Sequence, residues 1–511
     1  GVDTGTPAPA RVRMDFTRTD GFWSAPFPDE NRRRPNGTVD LAGFPNLRNN
    51  AMVRTLTEIA SRDPDGFGLT SAIYFTLTAP IDPSSLPDLR ASVTMDSPVL
   101  LVPIDRDAPD FGRPQPLVPR FDADGGPYGA PNLLALLPLQ GVPLRPHRHY
   151  AAVIRTSLRG ADGTPLQPAP EMAMIRAGTA PPGMRAEVLA LHRTALDVLR
   201  ERGVSPETVA GLTVFTTADP AAELLRGRDN ILARPRPAPL TPFARREVFA
   251  DYCVYESSLQ MPVFQQGEAP YMQTGGGWVR GADGNYVWQR DERARIFVTV
   301  PRRVMPARGF PTVVFVRTGG GGERPLVDRG RHPTAGGEAE PGTGPAREFA
   351  RAGLAGVSVD GPHGGVRNVT RGDEQFLVFN VSNPPAMRDN IRQSAIELAL
   401  VAHLTGDLRI DVSDCPGVTG AAEARFDTET LALVGHSTGS VIATLTAAIE
   451  PRYRAVVLSG AGGSWSENIV HKLRPIAARP VAELLLGYNG IGRTLNPHDA
   501  PLNLLQWAGE G

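Results

Sequence analysis

The chain has 511 residues, enough for two or more domains of ordinary size. Its 53 basic and 54 acidic residues give a formal net charge of −1, which argues against the basic footprint of a nucleic-acid or anionic-membrane binder. No apolar run approaches the roughly 20 residues that a membrane-spanning helix needs, and the basic set is almost all arginine (Lys472 is the only lysine), which reads as the codon bias of a GC-rich genome. The N-terminus, Gly1-Val2-Asp3-Thr4-Gly5-Thr6-Pro7, has no apolar signal core and reads as the start of a mature exported protein whose leader has been removed. Residues 1–180 are rich in proline, glycine and short β-type runs. Strands are expected at 71–78, 99–104 and 150–156, the last followed by the turn Gly160-Ala161-Asp162-Gly163. Short strands at turn-punctuated intervals suggest a β-sandwich. Residues 184–202 carry apolar positions at helical spacing, with Gly203 as a stop. A strand at 212–217, a helix at 220–231 and the proline-rich stretch Arg234-Pro235-Arg236-Pro237-Ala238-Pro239 follow, and the domain boundary is expected near residue 240.

Beyond that point the pattern changes. Strand-like stretches at 248–263, 295–301, 312–316, 354–360, 431–434 and 454–459 alternate, from the third onward, with helix-like ones at 346–352, 385–404 and 441–449. The run Thr312-Val313-Val314-Phe315-Val316 is continuously apolar and β-branched, as a strand buried on both faces requires. Strands alternating with helices imply a parallel sheet covered on both sides. Cys253 and Cys415 are far apart and in no metal or redox spacing; they either pair in an oxidising compartment or stand as isolated thiols. His147 and His149 have no third ligand nearby, so no metal is expected, and no organic cofactor is implied.

Gly435-His436-Ser437-Thr438-Gly439 carries the chemistry. It reads Gly-x-Ser-x-Gly between the strand 431–434 and the helix 441–449. Strand, tight serine-bearing turn and helix form the nucleophile elbow of an α/β-hydrolase, where side chains at the flanking glycines would collide with their neighbours. Ser437 is therefore the expected nucleophile. Acyl transfer also needs donors for the oxyanion. One is the N–H of the residue after the nucleophile, here Thr438. The other comes from the loop after an earlier strand, here Arg317-Thr318-Gly319-Gly320-Gly321-Gly322, with Gly319 or Gly320 as donor.

With these residues in view, the chain resembles exported bacterial esterase/lipase-type α/β-hydrolases that carry a β-rich, Ig-like N-terminal domain, a group that includes virulence-factor lipases. The phrases that carry the resemblance are residues 261–271 (Met-Pro-Val-Phe-Gln-Gln-Gly-Glu-Ala-Pro-Tyr) followed by Gly275-Gly276-Gly277, residues 310–315, Asp360-Gly361-Pro362-His363-Gly364, residues 388–393 and the elbow. The segment Pro143–Tyr150 likewise resembles the last hairpin of bacterial Ig-like domains. The resemblance implies a secreted, periplasmic or lipid-anchored enzyme acting on a small ester or lipid. It implies that His363 is structural or lines the acyl site, while Arg388-Asp389 at a helix start reads as a structural ion pair or cap. The family pattern often has histidine where this chain has Arg317 and Gln-Gly where it has Thr438. These departures bear on the oxyanion donors and leave the fold expectation unchanged.

The triad should follow the order serine, acid, histidine. Only one clear strand follows Ser437, and of the later histidines His471 sits in a helical stretch and His498 in a loop with no strand before it. The expectation is an α/β-hydrolase parallel sheet lacking its last strands in this chain, preceded by a β-rich Ig-like domain. Its parts are 1–180 as the β-rich domain, 181–240 as a helical segment, strand and linker, and 241–511 as the hydrolase domain. A further C-terminal polypeptide would complete the sheet and supply the acid and histidine. Peptide hydrolysis or acyl transfer on the same fold, and a non-catalytic surface-binding protein, are the alternatives.

Overall fold

The computed structural model describes residues 9–317, 322–474 and 476–510. They form two compact units, one built from the chain up to Pro220 and again from Gly463, the other from Ala221–Gly462.

In the first unit, apolar runs become strands that are buried along their whole length: β1 (Ile73–Thr76), β2 (Val99–Pro103), β4 (Leu133–Pro138) and β6 (Val209–Thr216). With β3 (Leu117–Asp122) and β5 (His149–Arg155) they make two three-stranded antiparallel sheets, β1-β4-β3 and β2-β5-β6. Helices α1 (Ala51–Arg62), α2 (Leu89–Ser92), α3 (Pro170–Ala177) and α4 (Ala186–Glu201) accompany them. In α4 the buried positions Val188, His192, Ala195, Leu196 and Leu199 recur at three- and four-residue spacing, and this stripe enters the same core as the strands. The strands expected at 71–78, 99–104, 150–156 and 212–217 are present, but they are not a seven-strand Ig-like sandwich. Sheets this small cover their faces with helices instead.

The second unit opens with α5 (Pro220–Leu232). Its strands are β7 (Ala244–Val248), β8 (Tyr252–Val263), β9 (Arg290–Pro301), β10 (Phe310–Phe315) and β11 (Ala355–Val359), with helices α6 (Pro325–Asp328) and α7 (Pro345–Arg351) before β11. Helices α8 (Glu374–Phe379) and α9 (Pro384–Leu404) come next, then a two-residue ribbon of β12 (Ile410–Asp411) and β13 (Glu423–Ala424). The unit ends with β14 (Phe426–His436), α10 (Thr438–Ile449) and β15 (Tyr453–Ser459). Seven strands make one sheet in the order β15-β14-β10-β11-β9-β8-β7. The four from β15 to β11 run parallel, and β9, β8 and β7 extend the sheet antiparallel. Cys253 of β8 is disulfide-bonded to Cys415 in the turn between β12 and β13, which selects between the two states open to these cysteines.

β15 departs from its neighbours. β11 is buried throughout, whereas in β15 only Tyr453 is buried. Val456, Val457 and Leu458 are 37%, 56% and 42% exposed. Consecutive strand residues face opposite sides, so both faces as well as the outer edge are open. No strand among the described residues pairs with that edge.

After Gly462 the chain returns to the first unit as α11 (Trp465–His471), α12 (Ala478–Leu485) and α13 (Ala500–Glu510). Trp507 of α13 stacks on Phe67 with ring centroids 5.7 Å apart and donates its indole N–H to the Gly66 carbonyl. Asn503 accepts from the Ala72 N–H at 2.8 Å, and the Glu510 carboxylate accepts from the Leu69 N–H. These contacts move residues 463–511 out of the 241–511 domain expected from the sequence. The first boundary falls at Pro220, since α4 and β6 belong to the first unit's core. No described helix is long and apolar enough to cross a membrane.

Candidate functional site

Ser437 joins β14 to α10 with φ 54° and ψ −123°. A non-glycine residue at positive φ is uncommon, and here it turns the chain from strand to helix within one residue. A Cβ added at Gly435 would lie 2.2 Å from the Gly439 carbonyl oxygen, a distance no Cβ tolerates, so the first glycine of the motif is required by close backbone approach. The Ser437 N–H donates to the Ser459 carbonyl at 2.8 Å, tying the turn to the end of β15. The Ser437 side chain is exposed. Among the described residues, none hydrogen-bonds to its hydroxyl.

Thr438 is the first residue of α10, so its N–H is one of the four that a helix leaves without an internal acceptor. It lines a cleft at the carboxyl ends of the parallel strands, where open α/β sheets bind ligands. Val316, Val359, Val378, Leu398 and Ile442 give that cleft an apolar lining. Gly319 and Gly320, the other expected oxyanion donors, lie outside the described residues. The flanking Arg317 is described, and its side chain is almost fully buried. It pairs with Glu374 at 2.7 Å and with Asp360 at 3.4 Å, and it donates to the Glu323 carbonyl. Asp360 in turn accepts from Arg295 at 2.8 Å. The arginine that departs from the family pattern thus anchors the loops after β10 and β11 to α8. Sequence reasoning did not assign this role. The available signal was a set of charged residues directly after two continuously apolar strands.

The remaining candidates are structural in their contacts. His363 is buried, meets the Tyr271 ring edge-on and is bonded through Nε2 to Asn390 at 3.0 Å; burial lowers its pKa. Asp389 is fully buried beside Arg388 and Arg392 and accepts the Trp278 N–H at 2.8 Å, fastening residues 275–278 to α9 as an ion pair rather than a reactive group. The second unit's other histidines are also engaged: His436 with the Ser459 hydroxyl, His403 with Glu450 and His332 with the Gly337 carbonyl. His471 and His498 belong to the first unit, where His471 faces Glu467 and His498 bonds the Val118 carbonyl. Among the described residues there is a nucleophile geometry and no base bonded to it.

No protein-family model matches the chain, and no curated protein matches it. Solved structures similar to it include acetyl xylan esterase 1 from Thermoanaerobacterium sp. JW/SL YS485, at 15% identity and TM-score 0.32, covering 57% of this chain and 72% of that one. An acetyl xylan esterase from Paenibacillus sp. R4 is similar at 13% identity and TM-score 0.31, covering 56% and 73%. A CE15 glucuronoyl esterase from Teredinibacter turnerae T7901 is similar at 13% identity and TM-score 0.24, covering 48% and 53%. Likeness at this level decides nothing about the reaction, which has to be argued from the surroundings of Ser437.

Proposed function

We propose that this chain is a serine hydrolase of carboxylic esters built on an α/β-hydrolase sheet, with Ser437 as nucleophile. The observation that carries the reading is the backbone of Ser437. A serine held at positive φ between a parallel strand and a helix, its hydroxyl exposed at the carboxyl ends of the strands, is costly to build and has a chemical use. Ser437 Oγ attacks the ester carbonyl carbon, and the Thr438 N–H, with Gly319 or Gly320, donates to the oxyanion that forms. The alcohol leaves with a proton from the base, and water then releases the acid from the acyl-enzyme.

A serine hydroxyl is a weak nucleophile until a base accepts its proton. In this reading the base and its orienting acid come from a polypeptide segment that pairs along β15. Parallel strands are ordinarily covered on both faces, and the open Val456–Leu458 stretch supports a missing neighbour. Ser437 hangs from Ser459 at the carboxyl end of β15, so a loop leaving a further parallel strand, about 5 Å away, emerges beside it. The substrate is a small ester or lipid entering the apolar cleft. The Cys253–Cys415 disulfide supports an exported protein, since such bonds persist in oxidising compartments.

A non-catalytic binding protein on the same scaffold is the second reading, favoured by the fact that no base among the described residues is bonded to Ser437. A panel of short and long p-nitrophenyl esters assayed with the wild type and Ser437→Ala separates the two. Hydrolysis abolished by the substitution supports the enzyme, and a wild type that hydrolyses no ester once its β15 partner is present supports the binding protein.

A further inference from the structure

In the first unit, α12 carries its apolar residues outward. A helix on the surface of a domain ordinarily turns that stripe toward the core. No residue of α12 is buried, and Pro480, Val481 and Leu484, which share one face, are all exposed, Leu484 by 63%. Leu473 and Ile476, just before the helix, are exposed as well, Leu473 by 76%. The helix is nonetheless fixed in place. Ala482 packs on the core of the first unit, Leu486 and Tyr488 directly after the helix are buried there, and Tyr128 donates its hydroxyl to the Leu486 carbonyl at 2.6 Å. The loop before α1 meets the same edge. Asn50 donates to the Leu485 carbonyl at 2.9 Å and Arg48 to the Gly487 carbonyl at 3.2 Å, and this loop holds Leu47, 93% exposed.

The charge of the whole chain is balanced, but the charge along this edge is not. Between His471 and Leu485 the fixed cations are Lys472, Arg474 and Arg479, and the only carboxylate is Glu483. Glu483 lies 3.8 Å from Arg479, and the nearby Glu467 lies 3.3 Å from His471. Lys472 and Arg474 therefore have no carboxylate partner among the described residues. The Lys472 carbonyl accepts the Ala478 N–H at 3.4 Å, which holds Lys472 against the start of α12. Exposed leucines beside unpaired cations match a partner that offers an apolar phase beneath an anionic layer. A bilayer containing anionic lipid has both, phosphate headgroups for the cations and acyl chains below them for the leucines. Five apolar side chains fall short of the roughly 20–30 residues a side that a stable protein interface uses. We propose that Leu47, Leu473, Ile476, Val481 and Leu484 dock the protein on an anionic lipid surface, with Lys472 and Arg474 at the headgroups. This surface is independent of Ser437 and of any reaction there.

The test is co-sedimentation with sucrose-loaded vesicles, made either of phosphatidylcholine alone or of equal parts phosphatidylcholine and phosphatidylglycerol. The wild type should bind the mixed vesicles about tenfold or more tightly than the neutral ones. Ser437→Ala should bind as the wild type does. The double variant Leu473→Ser/Leu484→Ser should lose about tenfold or more in affinity for the mixed vesicles. Lys472→Gln/Arg474→Gln should reduce binding of the mixed vesicles to the level of the neutral ones. All four side chains are exposed, so both variants should melt like the wild type, and thermal melting checks this. If a variant does not fold, the comparison of the two vesicle types with wild-type protein decides the matter. A wild type that stays in the supernatant, or that binds both vesicle types equally, overturns the proposal. So does binding that neither double variant weakens. A lipid-free dimer that Leu473→Ser/Leu484→Ser dissociates in sedimentation equilibrium would make this edge a contact between copies and overturn it as well.

Discussion

Ser437 donates its backbone N–H to the carbonyl oxygen of Ser459 at 2.8 Å, so the turn between β14 and α10 is suspended from an edge strand of the sheet. β15 is an edge strand with no strand on its outer side among the described residues, so the position of the serine depends on how that edge is held.

The turn has no room for a side chain at Gly435. Gly435→Ala puts a methyl group 2.2 Å from the Gly439 carbonyl, and the backbone must move to relieve it. The expected outcome is a loss of about 1–3 kcal/mol of stability. The displaced hydroxyl should also cost about 100-fold in ester hydrolysis. Chemical denaturation and steady-state assays on one preparation check both.

Val457 tests the proposed partner of β15. It is 56% exposed, so Val457→Lys should change the stability of the isolated chain by no more than about 0.5 kcal/mol. In the protein with its pairing segment present, the same substitution places a charge in the new interface and should lower activity. Activity unchanged there would mean that nothing packs on this strand.

His192 makes the first unit sensitive to acid. It is fully buried on α4, its Nδ1 donates to the Val188 carbonyl at 2.9 Å, and burial lowers its pKa to about 4. Above pH of about 6.5 the ring is neutral in both folded and unfolded chains, and the full stability is present. As pH falls from there toward 4, the unfolded chain takes up a proton that the folded one refuses, so stability declines, by about 3 kcal/mol in all. His192→Leu should remove this part of the slope in denaturation measured from pH 7.5 to 4.

The Cys253–Cys415 bond closes 162 residues of the second unit. Replacing both cysteines with serine should cost about 2–5 kcal/mol, read as an earlier unfolding transition that reducing agent no longer shifts.

The strands around the elbow were legible as short apolar, β-branched runs such as 312–316 and 431–434, and their alternation with helix-like stretches implies a parallel sheet. The elbow was legible because five residues and their flanks describe one backbone turn. The fate of the C-terminal segment was not. Residues 501–507 announce a helix, but nothing local says that Trp507 will stack on Phe67, 440 positions earlier. β3 and β4 were missed for a related reason. The Pro119 within β3 argues against a strand, and its pairing with Leu136 in β4 overrides that local preference. Arg317 and Asp360 read as isolated charges until the fold brings the ends of β10 and β11 together. The oxyanion glycines 319 and 320 remain expectations from the motif alone.

The most direct test of the central claim is intact-mass and peptide mass spectrometry after treatment with a fluorophosphonate, using the protein with its β15 partner in place. One adduct should form, on the peptide containing Ser437, and it should be absent from Ser437→Ala, which still melts like the wild type. An adduct that persists in Ser437→Ala, or sits on another residue, or never forms, would contradict Ser437 as the nucleophile.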